Sequence, residues 1–156
     1  MKYLAALAQL TLGVWFGGLI VLILFVSTLF MKARAAAFDA APVLFHVFER
    51  YQLGLAAVAL LSLTVWRMAL PARTKLAAVV LTLAATLLAV AQLAVITPKI
   101  NAARNVDRPT FDRYHALSTK NYTVIAALVL AAWGVTSTAM RASPDCEPAA
   151  GDLHSA

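Results

Sequence analysis

Apolar positions along this chain collect into four long runs, and the short segments between them hold most of the charge. From Tyr3 to Met31 no residue is charged. A second run extends from about Tyr51 to Leu70, a third from Leu76 to Pro98, and a fourth from Asn121 to Met140. A helix needs about 20 mostly apolar residues to cross about 30 Å of hydrocarbon. Four such runs in 156 residues leave no room for a water-soluble core. The pattern predicts an all-α fold, an integral membrane four-helix bundle. A closed barrel would instead alternate apolar and polar residues over segments of about 10, whereas Leu19 through Val26 is apolar throughout. The apolar part of a secretory signal is about 7–15 residues, so the longer first run reads as an uncleaved span.

The connections before spans two and four share a signal. Asp39-Ala40-Ala41-Pro42 and Asp107-Arg108-Pro109 each place an acidic cap ahead of a proline, which starts a helix because proline is tolerated in the first turn. Each start predicts a short amphipathic helix that runs on into the following span. The expected spans are about 3–31, 44–70, 76–98 and 116–140, forming one membrane domain over 1–141. Pro71-Ala72-Arg73-Thr74-Lys75 is read as a tight basic turn between antiparallel neighbours. Residues 142–156 turn to Ser, Pro, Gly and acidic types and are expected to be a disordered polar tail.

Composition agrees with this picture: 62% of residues are hydrophobic and 13% charged, where a soluble domain carries about 25% charge. The net charge of +6 is scattered among the connections, without a basic run interleaved with aromatics. The partner this implies is the lipid bilayer, and no nucleic acid. The first and third connections hold Lys32, Arg34, Arg50, Lys99, Arg104, Arg108, Arg113 and Lys120. The opposite side holds fewer cations, which orients the first and third connections toward the cytoplasm, in a cell or inner membrane. Cys146 stands alone, so no intrachain disulfide forms.

With four crossings, the first and third connections share one side of the membrane. His46 and Glu49 are three apart on a helix, as are Asp112 and His115, so each pair shares a face. Arg50 and Arg113 flank these pairs, Ser118 and Asn121 continue the His115 face inward, and Gln92 lies at similar depth. Polar groups at membrane depth turn inward and find partners there. Three readings of this centre stay open. One is a salt-bridged cap, with Glu49 answering Arg113 and Asp112 answering Arg50. Another is a metal or solute site using His46, Glu49, Asp112 and His115. The remotest is haem held between His46 and His115. Without a nucleophile elbow, phosphate loop or zinc-spaced ligands, the chain is not expected to be an enzyme, and no cofactor is assigned. On the first span Gly13 and Gly17 form a small-xxx-small pair beside Trp15 and Gly18, suited to close helix packing. The same pair could dock a partner membrane helix or a second copy in a homo-oligomer.

Four stretches together resemble a known group: Gly13-Val14-Trp15-Phe16-Gly17-Gly18, Leu44 to Tyr51, Ile96-Thr97-Pro98-Lys99-Ile100, and Phe111 to Ser118. In their order and in the Phe-x-x-x-His-x-x-Ser signature, the chain resembles the transmembrane protein 205-like family, also known as domain of unknown function 4149. The resemblance covers roughly Leu10 to Trp133. It implies a four-span helical membrane protein without established catalytic activity. The matching positions are Gly13, Trp15, Gly17, Gly18, Pro98, Phe111, His115 and Ser118. In the family an Asn follows the Ser by four positions, whereas Asn121 follows Ser118 by three.

Overall fold

Leucine and alanine, both strong helix formers, are abundant in the runs and glycine is sparse, so each run favours helix. The computed structural model describes residues 2–69 and 73–141. Helix α1 spans Lys2–Lys32, α2 Arg34–Ala69, α3 Arg73–Ala91, α4 Thr97–Ala103 and α5 Arg108–Arg141. A π-helical segment, Gln92–Ile96, joins α3 to α4. Counting α3 through α4 as one rod, four helices are long and apolar enough to cross a membrane. The chain is a multi-pass membrane protein built as a four-helix bundle. The expected turn at Pro71 and Ala72 and the expected disordered tail lie outside the described residues.

A single residue, Ala33, separates α1 from α2. Gly18 faces Phe48, Trp15 bonds to Gln52, and Phe30 stacks edge-on against Phe38. The two helices therefore run antiparallel from a hinge at Ala33. Helix α1 packs against α2 and α5, and α3 packs against the same two. The result is a ring of four around a shared interior.

That interior is built from small side chains. Ala8, Ala56, Ala59, Ala78, Ala85, Ala89 and Ala132 are completely buried, alongside Leu12, Trp15, Leu19, Leu63, Ile125 and Val129. Larger residues such as Leu24, Leu61 and Leu87 point outward, each more than half exposed. Lipid solvates leucine as well as a protein core does, so helices associate through close backbone approach rather than by hiding apolar bulk. Gly13 admits the Trp133 indole of α5, and Gly18 admits the Phe48 ring of α2. At the end of the bundle where α2 meets α3, Lys75 is buried with its ammonium 4.5 Å over the Trp66 ring.

Two helix boundaries differ from expectation, each through a proline. The predicted start at Asp39 lies inside α2, which begins at Arg34 and carries Pro42 within it. The alanines at 35–37, 40 and 41 favour helix strongly enough to extend it backward. Pro42 cannot donate to the Phe38 carbonyl four residues earlier. The Arg104 guanidinium donates to that carbonyl instead. Span three does not stop at Pro98 but continues to Ala103. There the Thr97 N–H reaches Gln92 O, five residues back, and the widened turn makes room for the proline ring.

The start at Asp107 forms as expected. Its carboxylate accepts from the Thr110 N–H at 3.2 Å and from the Thr110 hydroxyl at 2.5 Å. These bonds, the hydroxyl first, hold the Asp107 carboxyl below the usual carboxylate range. A lowered folded value means that the cap stabilises above the ordinary carboxylate pKa and is lost as pH falls through the folded value. Hydrogen exchange at the Thr110 amide should accordingly lose protection on acidification in the native chain, and Asp107→Ala should remove that pH dependence. Thermal melts of two alanine variants test the helix packing. Gly17 has open space where a Cβ would sit, while at Gly18 the Cβ would meet Phe48 at 3.1 Å. Both gain the same helix propensity, about 1 kcal/mol, so Gly18→Ala should melt below Gly17→Ala.

Candidate functional site

The polar centre forms on α2, the π segment and α5, and it is more tightly defined than the sequence implied. Glu49 and Gln52 are completely buried on α2, Gln92 is 1% exposed, and Ser118, Asn121 and Tyr122 are buried on α5. Gln92 is the hub. Its Nε2 donates to Ser118 Oγ at 2.9 Å and to Thr97 Oγ1 at 3.2 Å, and its Oε1 accepts from Asn121 Nδ2 at 3.0 Å. Asn121 Nδ2 also donates to the Leu88 carbonyl at 3.1 Å. Both hydrogens of each amide nitrogen are therefore used, and α3 is fastened to α5. The π turn matters here, because it sets Gln92 and Thr97, five residues apart, within hydrogen-bonding reach of each other.

The other half of the cluster surrounds Glu49. Its Oε1 accepts from the Thr97 hydroxyl and, at 3.2 Å, from the Tyr122 hydroxyl. Its Oε2 has no partner, and neither does Gln52 Nε2. Gln52 Oε1 accepts from Trp15 Nε1 over a long 3.4 Å. Among the described residues no ion pair reaches Glu49. The hydrogen bonds thus tie α2 to α1, to the first residue of α4 and to α5, yet leave one carboxylate oxygen and one amide nitrogen without a partner.

Depth follows from the neighbours. Arg50 and Lys120, adjacent in sequence to Glu49 and Asn121, are exposed on the outside of the bundle. Cations on a lipid-facing surface must reach headgroups or water. The cluster lies about midway along α1 and α2, on the level of these cations.

Of the sequence-predicted centre, Glu49, Gln92, Ser118 and Asn121 come together inside. His46, Arg50, Asp112, Arg113 and His115 do not, and all five are exposed. The expected pairs Glu49–Arg113 and Asp112–Arg50 are replaced by Asp112 with Arg108, 3.1 Å apart and one turn away on the same helix. His115 stacks on Phe111 with ring centres 5.6 Å apart. Three-residue spacing put His46 beside Glu49 and His115 beside Asp112, but it could not show which side of each helix faces inward. Among the described residues, no group of three or more His, Cys, Asp and Glu is placed to hold a metal. The proposed set His46, Glu49, Asp112 and His115 is dispersed because only Glu49 turns inward. The haem arrangement meets the same obstacle, since both imidazoles lie outside.

Sequence reasoning missed Gln52, Thr97 and Tyr122. Gln52 had a signal: it is the one amide in span two, three residues beyond Glu49 and so on its face. Gly13, Trp15 and Gly18 take part in packing within the bundle, while nothing lies within 4 Å of where a Cβ at Gly17 would be. Toward the amino end of α1, the Gln9 side-chain amide donates to the Ser137 hydroxyl of α5 at 2.6 Å.

The model of a domain of unknown function (DUF4149) matches residues 10–109, from the first span to the start of α5. The chain belongs to this family. The match takes in Trp15, Glu49, Gln52, Gln92 and Thr97 of the cluster and ends before Ser118 and Asn121. No curated protein and no solved structure matches the chain.

The closed half of the cluster has a direct stability test. Removing the Gln92 amide strands Asn121 and Ser118 inside the bundle, each buried polar group left unpaired costing about 1–3 kcal/mol. Gln92→Leu should lower the thermal midpoint in detergent clearly, while His115→Ala and His46→Ala, at exposed positions, should leave it near wild type.

Proposed function

We propose that this chain handles a small polar solute in the membrane at the cluster around Glu49, and that it is a member of the transmembrane protein 205-like group within its family. One observation carries the reading: a completely buried carboxylate at membrane depth has a free oxygen and, among the described residues, no ion-pair partner. Ionisable groups inside membrane proteins are costly and ordinarily mark a solute or proton path. A purely structural cap gains nothing from an unsatisfied oxygen, and the Gln92 half shows how completely such groups can be paired. The solute reading is favoured over the metal reading by the donor set. One carboxylate surrounded by hydroxyls and amides lacks the imidazole and thiolate ligands that transition ions prefer.

A second reading, a latch that fastens the bundle, is favoured by the saturated Gln92–Asn121–Ser118 group. The two separate in proteoliposomes. Stopped-flow light scattering with urea and glycerol as osmolytes should show faster solute entry than in empty liposomes. Glu49→Gln, nearly identical in shape, should return entry to the empty baseline while keeping the thermal midpoint. If wild-type liposomes behave as empty ones and Glu49→Gln instead melts early, the latch is the correct account.

A further inference from the structure

Resting on the solute-site reading of Glu49, we propose that Glu49 Oε2 and Gln52 Nε2 together bind a single hydroxyl group, supplied by water or by a hydroxylic solute. Both atoms are buried and unpartnered, and their residues stand three apart on α2, hence on one face. With Glu49 as a carboxylate, Oε2 is an acceptor, and the amide nitrogen is a donor. The occupant must therefore accept from the amide and donate to the carboxylate, and a hydroxyl does both.

Trp15 sets this polarity. Its indole can only donate, and it donates to Gln52 Oε1. Gln52 must turn its carbonyl toward Trp15, which leaves its NH2 unpartnered. A bare cation drawn by Glu49 would meet those amide hydrogens and be repelled. Reversing the amide would suit a cation but strand the indole N–H of a completely buried tryptophan. An unpaired buried donor is expensive, so the orientation is held. With the hydroxyl in place, a hydrogen-bonded chain runs from Trp15 on α1 through Gln52 and Glu49 on α2 to Thr97 and Tyr122. Through Gln92 it continues to Ser118 and Asn121. It joins all four spans at one level.

Solid-state NMR of the full chain in lipid bilayers, with side-chain amides labelled, reads this site directly. Magnetisation transfer from water protons should reach the Gln52 side-chain nitrogen and be absent at Gln92, whose amide hydrogens are both bonded to the protein. In a second arm the buffer is D2O with protonated glycerol. Transfer from its carbon-bound protons to Trp15 or Gln52 assigns the hydroxyl to a solute, and its absence alongside the water signal assigns it to water. No transfer to Gln52 from either source, with the Gln92–Asn121 contact intact, overturns the site. A clear water signal in protein whose liposomes pass neither urea nor glycerol would keep the hydroxyl site and reject the solute reading.

Discussion

Hydrocarbon offers no hydrogen bonds, and this one constraint organises the molecule. Each backbone or side-chain polar group within the membrane must find its partner in the chain or be left unsatisfied. Apolar bulk meets the opposite condition: it is as comfortable against lipid as inside. Many leucines accordingly face outward, alanines line the contacts between helices, and the largest connected group of buried polar side chains gathers around Glu49 and Gln92. Their hydrogen bonds fasten α3 to α5 and link α2 to the others.

The prolines show the same constraint acting on the backbone. Pro42 leaves the Phe38 carbonyl without its helical donor, and Arg104 supplies one from the far side of the α4 connection. Pro98 would break α3, but the π turn ahead of it carries the rod on to Ala103. That turn also presents Gln92 and Thr97 to the same cluster. A backbone accommodation thus positions the hub of the site, and the local defect and the polar centre belong to one design.

The spans were readable because uncharged runs of membrane length have few alternatives. The capped start at Asp107 was readable because its signal is local. The start at Asp39 misled for a different reason: the alanines around it extend the helix, and the compensation for Pro42 comes from a residue 62 positions away. Within the site, Glu49, Gln92, Ser118 and Asn121 were accessible as polar residues in apolar surroundings. His46, Asp112 and His115 shared helical faces with plausible partners, but near the end of a bundle a face can turn to headgroups as readily as to the interior. Thr97 and Tyr122 became visible only once the packing around the π turn and α5 was known, whereas Gln52 was marked by its place three residues beyond Glu49. Glu49 holds the most informative position because its satisfaction is incomplete.

The most direct test of the lipid-imposed arrangement is sidedness, measured with a membrane-impermeant maleimide on single-cysteine variants in a Cys146→Ser background. His46→Cys and His115→Cys should react from one face of sealed vesicles, and Arg67→Cys only from the other. Labelling of positions 46 and 115 from opposite faces would contradict the account, because α2 and α5 could not then bring Glu49 and Tyr122 together at one level.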